Sequence, residues 1–275
     1  MKQLFLFAAI CFICFTGAAQ LTTPQASPTQ TIKQNFALSS VELSYSRPGI
    51  KGRTVFGDLV PYGKVWRTGA NNATTLTFGE EVMIGGKKIP AGKYGLLSIP
   101  DKDNWTLIIS KDVNVTSPAD YKLENDIVRV NAKPMAMKEK METFTMQFAN
   151  VKSNSCELHI MWENTAVSLP ISADVESKVM KQIDEQMNKD NRPYFAAAVY
   201  YLQNGKDLNQ ALAWFDKAVE AQPDAFWVHH QRANCLAKLG RKKEARDAAE
   251  KSKALAMTAK NDDYVKLNND LLSTL

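Results

Sequence analysis

With 275 residues, 45% of them hydrophobic, the chain is long enough to fold as two domains with a real core in each. Its formal charge of +5 is modest for that length and is not gathered into a basic run, which argues against a dedicated nucleic-acid binder.

Met1 and Lys2 lead into an apolar run from Leu4 to Phe15, and Gly17, Ala18 and Ala19 precede Gln20. This is the charged, apolar and small-residue order of a secretory signal peptide, with cleavage placed after Ala19. An apolar run of about 12 residues falls short of the roughly 20 that a bilayer-spanning helix needs. Ile10 before Cys11 and Ile13 before Cys14 offer no small residue for lipid attachment, so the expected product is an exported protein, periplasmic or secreted, with no membrane span after cleavage. Cleavage removes Lys2, taking the charge from +5 to +4, and leaves only Cys156 and Cys235, one per domain, as buried thiols rather than a disulfide framework. Residues 20–35, rich in Thr, Gln, Pro and Ser, are expected to form a flexible lead segment.

From Phe36 to Ile171 the chain offers short β-branched and aromatic runs separated by turn residues. Val41, Leu43 and Tyr45 alternate with polar residues until Arg47-Pro48-Gly49 ends the strand. Gly85-Gly86 joins a hairpin from Glu81 to Ile84 and Lys87 to Ile89. Strands follow over Lys93 to Ile99, Asn104 to Ser110, Ile127 to Ala132, Glu142 to Phe148, Cys156 to Trp162 and Ala166 to Ile171, with a looser stretch from Lys111 to Asp126. Phe144, Met146 and Phe148 share one face, as do Cys156, Leu158, Ile160 and Trp162, and the two stripes should meet in the core. The predicted architecture is an antiparallel β-sandwich or barrel-like domain over 36–171, in an α+β chain whose remaining residues, 172–275, are helical.

The stretch Tyr45-Ser-Arg-Pro-Gly-Ile-Lys-Gly-Arg53, followed by Phe56-Gly-Asp-Leu-Val-Pro-Tyr-Gly-Lys-Val-Trp-Arg-Thr-Gly-Ala-Asn-Asn-Ala-Thr-Thr75, closely resembles the signature of domain-of-unknown-function family 2911. Pro90-Ala-Gly-Lys-Tyr-Gly-Leu96 and Val128-Arg-Val130 extend the resemblance to about residues 39–171, and the loop from Val115 to Tyr121 departs from it in being shorter. The resemblance implies an exported β domain and assigns no activity.

The long motif sets Arg47, Lys51, Arg53, Lys64 and Arg67 against one acid, Asp58. Arg47, Arg53, Tyr62, Arg67, Asn71 and Asn72 are the candidate ligand-binding residues, since guanidinium forks suit anionic oxygens and aromatic rings supply a stacking face for a small anion or a glycan. Strand alternation would put Trp66 and Arg67 on opposite faces unless a bulge intervenes; the alternative is a Trp66 that fills the core beside cations that tie loops to backbone carbonyls. No catalytic constellation emerges. His159 shares a polar strand face with Glu157 and Glu163, the adjacent His229 and His230 diverge on a helix, and neither a phosphate-binding P-loop nor a Gly-x-Ser-x-Gly elbow occurs. No metal site and no cofactor are predicted.

Ser172 is expected to cap a helix whose apolar stripe is Val175, Val179, Ile183 and Met187, and Arg192-Pro193 starts the next. Ala211, Phe215 and Ala218 recur as Ala245, Ala249 and Ser252, 34 residues on, while Tyr194, Ala198 and Tyr201 correspond to His229, Ala233 and Leu236. The segment 194–255 resembles a pair of tetratricopeptide repeats, and a last helix from Asp262 to Leu272, with Tyr264, Leu267 and Leu271 inward, should close it. Lys206, Trp214, Trp227 and Arg232 are the candidate contacts for a peptide or protein partner.

The sequence as a whole leans toward a non-enzymatic protein that pairs a ligand-binding β domain with an interaction module. A hydrolase of an envelope or nutrient polymer, acting through Arg53 to Asn72, and a structural envelope component are the alternatives.

Overall fold

The structure, a computed structural model, describes residues 23–275; the expected signal peptide and the start of the lead segment lie outside the described residues. The chain divides into two compact units, at Asp174 and Val175.

The first unit is built from two antiparallel sheets, neither closed into a barrel. One has the order β1 (Thr29–Phe36), β2 (Ser39–Ser46), β3 (Thr75–Phe78), β6 (Gly92–Ile99), β7 (Trp105–Ser110) and β8 (Asp126–Ala132). The other runs β5 (Lys87–Ile89), β4 (Val82–Ile84), β10 (Ser155–Ser172) and β9 (Met135–Ala149). All of strand β1 but Phe36 falls in the lead segment expected to be flexible. It is an edge strand paired along its whole length with β2, from Thr29 opposite Ser46 to Phe36 opposite Ser39. An edge strand with one covered face needs few apolar residues, so its Thr, Gln and Asn give little signal.

Elsewhere the alternation is realised in the packing. Val41, Leu43 and Tyr45 of β2 are buried, and the Tyr45 ring meets Phe144 of β9 edge-on at 5.8 Å, so side chains of the two sheets share one core. The Tyr45 hydroxyl donates to the Met146 carbonyl at 3.1 Å and accepts from the Met146 N–H at 2.9 Å, which satisfies the one polar atom of a buried ring. The Gly85-Gly86 hairpin forms as expected, with φ of +57° and +76° that only glycine adopts at no steric cost.

Strand β10 folds back within its own span. The Ala173 N–H donates to the Asn154 carbonyl at 2.9 Å and the Ser168 hydroxyl to Glu157 at 3.0 Å, whereas 11 residues of straight strand would span about 36 Å. The reversal falls near Glu163, whose φ is +50°, and separates the two segments that the sequence pattern predicts.

The second unit holds six helices: α1 (Val175–Met187), α2 (Tyr194–Gln203), α3 (Leu208–Ala221), α4 (Phe226–Lys238), α5 (Lys242–Thr258) and α6 (Asp262–Thr274). Each of α3 to α6 packs on the helix before it. Ala211, Phe215 and Ala218 of α3 and their counterparts Ala245, Ala249 and Ser252 of α5 are all buried, so the 34-residue spacing marks equivalent packing positions. Three details differ from expectation. Ser172 belongs to β10, opposite Met83, and does not cap α1. Only Ile183 of the predicted α1 stripe is fully buried. In α6, Leu267 is 45% exposed and Asn268 is buried in its stead. Asn268 replaces a leucine contact with a polar one: its Oδ1 accepts from His230 Nδ1 at 2.9 Å, and its Nδ2 donates to Ser252 Oγ at 2.9 Å and to the Tyr264 carbonyl at 2.7 Å. Ser252 in turn donates to the Phe226 carbonyl at 2.7 Å, so α4, α5 and α6 are joined by one buried chain of hydrogen bonds.

Among the described residues the two cysteines, Cys156 and Cys235, are free and buried. Burial raises the Cys156 and Cys235 thiols to about 11 from an ordinary 9.0, so neither is a ready nucleophile.

Three outcomes follow from this packing. Phe144→Ala should cost about 3–5 kcal/mol in urea denaturation of the β unit, and a loss below about 1 kcal/mol would contradict its central place. Asn268→Ala strands the His230 N–H and weakens the Ser252 link, so the helical transition followed by circular dichroism should fall by about 1–3 kcal/mol per unsatisfied group. Unfolded thiols ionise above pH 9 while the folded ones stay protonated toward 11, so stability should decline as pH rises through that window. A Cys156→Ala, Cys235→Ala double variant should show a smaller decline between pH 8 and 10.

Candidate functional site

The long motif between β2 and β3 does not form a strand. It is a looped arm fastened to both sheets. The Ile50 N–H donates to the Glu142 carbonyl at 2.9 Å, and the Phe144 N–H to the Pro48 carbonyl at 2.8 Å, which ties its start to β9. Trp66 and Ser98 exchange backbone hydrogen bonds of 2.7 and 2.9 Å, which ties its second half to β6. Immediately afterwards Thr68 takes a φ of +54°, and its buried hydroxyl donates to Ser98 Oγ at 2.9 Å. Trp66 and Arg67 both line one pocket, in a segment that belongs to no regular strand, so the alternation of a regular strand does not govern them.

That pocket has a volume of about 600 Å³, within the range of about 300–1,000 Å³ usual for small-ligand sites. Its floor is aromatic. Trp66 lies nearly parallel to Trp162 of β10, with centroids 5.9 Å apart and an interplanar angle of 15°. Phe56 and Phe144 meet Trp66 edge-on at 6.5 and 5.1 Å, and Phe56 also touches Trp105 at 5.0 Å. The indole N–H of Trp66 donates to the Gly69 carbonyl at 3.0 Å, so its polar atom is satisfied within the arm and the ring presents carbon to the pocket.

Arg53, Lys64 and Arg67 stand around this floor. Arg53 donates through Nε to the Ile50 carbonyl at 2.9 Å and through Nη2 to the Gly49 carbonyl at 2.7 Å, and Arg67 donates through Nη1 to the Thr116 carbonyl. Neutral carbonyls position these forks without cancelling their charge, and the remaining N–H groups of each stay available.

The opposite wall comes from the loop after β7, where Thr116, Ser117 and Pro118 line the pocket. Ser117 and Asp120 form a reciprocal cap on a short 3-10 turn, Pro118–Asp120. Further on, Asp126 accepts from the Tyr121 hydroxyl at 2.6 Å and from Arg129 Nε at 2.7 Å, and the Tyr121 phenol is raised, first by burial and then by that bond. At the root of the loop, a side chain at Gly95 would collide with the Asp112 carbonyl, so a glycine is required where the loop leaves the sheet. The loop the resemblance marked as shortened is therefore a fixed wall.

Of the residues nominated from sequence, Arg53 and Arg67 come together here. Arg47 lies apart in a smaller hollow, with Nε donating to the Phe144 carbonyl at 3.3 Å and Nη2 to Thr145 Oγ1 at 3.0 Å. The Tyr62 ring closes over Gly57, Asn71 donates to the Ser27 carbonyl at 2.9 Å, and Asn72 is exposed; none of the three lines the pocket. Trp162 and the Thr116 to Pro118 wall line the pocket but are not among the residues nominated from sequence. Trp162 reads from sequence as pure core, and its lining of the pocket depends on where the arm is laid.

In the helical unit, Lys206 pairs with Glu176, and Arg232 Nε with Asp216 Oδ1 at 2.6 Å. Trp214 packs edge-on against Tyr201 at 4.7 Å, leaving Trp227, at 38% exposure, as the nominated residue most open to solvent. A separate open groove of about 480 Å³ is lined by Gln203 of α2, Gln231, Asn234 and Lys238 of α4 and Leu271 of α6.

The histidines are engaged in structure. His159 Nε2 lies 2.9 Å from Glu157, which also accepts from Ser168; hydrogen bonds from His159, then Asn150 and Ser168, hold that carboxyl below its ordinary value. The carboxylate sits between imidazole and hydroxyl, so His159 does not reach Ser168 as a base would. His229 donates to the Pro223 carbonyl at 2.8 Å, and His230 is held by Asn268. Among the described residues there is no cluster of three or more His, Cys, Asp or Glu side chains able to hold a metal ion, and no helix is long and apolar enough to cross a membrane.

No curated protein and no solved structure matches the chain. Residues 27–171, just over half of its length, match the family described as "Protein of unknown function (DUF2911)". The match begins before β1 and ends within β10, so it takes in the arm, the aromatic floor and both sheets. The chain is a member of the DUF2911 family, extended after its β unit by six helices.

Proposed function

We propose that the protein is an exported, non-enzymatic binding protein whose β unit holds a small ligand in the pocket over Trp66 and Trp162. The observation that carries this reading is the convergence of a rigid aromatic floor with three cations that no lining carboxylate neutralises. Pockets of this size with a mostly apolar lining and a few converging polar groups are the usual form of small-molecule sites. Among the described residues no histidine lines the pocket, and the one carboxylate beside its hydroxyls, Asp120, is engaged in capping the loop, accepting from the Thr116 hydroxyl at 3.2 Å and the Ser117 N–H at 3.0 Å, which supports binding over the hydrolase alternative. Export rests on the charged, apolar and small-residue order of residues 1–19.

The helical unit is read as a tetratricopeptide-like partner module, supported by the buried 34-residue repeat positions. Internal pairing of Lys206 and Arg232 and packing of Trp214 shift the partner face toward the groove of Gln231, Asn234 and Lys238. A structural envelope component is the outcome left if neither surface binds.

The test is a thermal-shift and calorimetric screen of the purified mature chain against glycans, peptides, organic acids and generic ester and phosphate substrates, beside Arg67→Ala. A ligand should bind without turnover, and Arg67→Ala should weaken it about tenfold, the loss expected for one charge-assisted hydrogen bond. Turnover that disappears in Arg67→Ala would overturn the non-enzymatic reading, and affinity unchanged by that variant would move the site elsewhere.

A further inference from the structure

The pocket's inventory of donors and acceptors restricts what it can hold. Among the described residues its lining includes Arg53, Lys64 and Arg67, which only donate, together with three hydroxyls, and it includes no Asp, Glu, Asn or Gln side chain. A neutral sugar carries a donor on every hydroxyl and is held by side chains that accept; here those donors would meet cations, and each one left unpaired in a desolvated site would weaken binding. An anionic group has the reverse character. A carboxylate, phosphate or sulfonate accepts at every oxygen and fits unneutralised guanidinium forks.

The other half of the lining is apolar: Trp66 above Trp162, with Leu59, Val60, Pro61 and Val65 beside it. Leu59 is 41% exposed, so apolar surface continues to the mouth. The volume of about 600 Å³ is far more than an inorganic anion fills. The amide side chains that would suit a glycan, Asn71 and Asn72, lie outside the lining. We propose that the pocket binds a small organic anion with a flat apolar body, an aryl carboxylate or an aryl phosphate, with the ring laid against Trp66 and the head group between Arg53, Lys64 and Arg67. The proposal rests on the reading of this pocket as a ligand site.

Matched probes test it by titration of the full mature chain with 2-naphthoate, 2-naphthyl phosphate, the neutral 2-naphthamide and chitotriose. One or both anions should bind, 2-naphthamide should bind about tenfold more weakly or worse, and added salt should weaken the anions alone. The two anions distinguish a carboxylate head from a phosphate head. Arg53→Ala and Arg67→Ala should each lower anion affinity about tenfold. Because both arginines also fasten loops, Lys64→Ala supplies a control: Lys64 makes none of the bonds that hold the arm, and its loss should still weaken the anions while leaving the unfolding transition in place.

Equal binding of 2-naphthamide and 2-naphthoate, or failure of both anions to bind, would overturn the proposal. So would anion affinity indifferent to all three substitutions. If a neutral glycan binds and Arg67→Ala abolishes it, the pocket survives as a ligand site and its anionic character does not; if no compound in either screen binds, both readings fail.

Discussion

The near-parallel packing of Trp66 on Trp162 is the contact on which the β unit and its pocket both depend. Trp162 comes from the folded-back strand β10, and Trp66 from the arm between β2 and β3. Their stack lies among Phe56, Trp105 and Phe144, and through Phe144 it reaches Tyr45 of the facing sheet. Each aromatic pair adds about 0.5–1.5 kcal/mol beyond the area it buries, so the cluster fixes the arm as firmly as its backbone bonds to Ser98 and Glu142 do. A floor held in this way does not have to be ordered when a ligand arrives, and preorganisation of that kind lowers the entropic cost of binding.

The cations around the floor obey a different constraint. Arg53 and Arg67 are positioned by carbonyls of Gly49, Ile50 and Thr116, which orient the guanidinium without neutralising it. The arrangement contrasts with the helical unit, where Lys206 and Arg232 are satisfied by Glu176 and Asp216. Two uses of positive charge thus occur in one chain: paired cations that fasten helices, and unneutralised cations that face an open pocket. Asp126 shows how the wall of that pocket is held in place, through Tyr121 and Arg129, while its Oδ1 remains buried without a partner.

The sequence made the alternating strands and the helices legible because both follow a period. Val41, Leu43 and Tyr45, the Gly85-Gly86 hairpin, and Ala211 with Ala245 are all read correctly from spacing alone. What it hid has no period. β1 is polar because it is an edge, and β10 joins two segments through a reversal marked by a single left-handed Glu163. Leu267 fits the apolar stripe of α6, yet the buried place goes to Asn268, because His230 and Ser252 present polar atoms there. The pocket was half visible. Of the six residues that the motif nominates only Arg53 and Arg67 line the pocket, strand alternation says nothing of Trp66 in a segment that is not a strand, and the loop at Thr116 carries no sequence signal for the wall it forms.

In the proposed reading, ligand meets the protein at the exposed end of the aromatic cluster. The indole N–H resonances report this directly, since the five tryptophans are spread over the two units: Trp66, Trp105 and Trp162 in one, Trp214 and Trp227 in the other. Titration of the nitrogen-15-labelled chain with 2-naphthoate should move the Trp66 resonance most, Trp162 less, and Trp214 and Trp227 not at all. A largest shift at Trp227 or Trp214, with Trp66 unmoved at saturation, would contradict it.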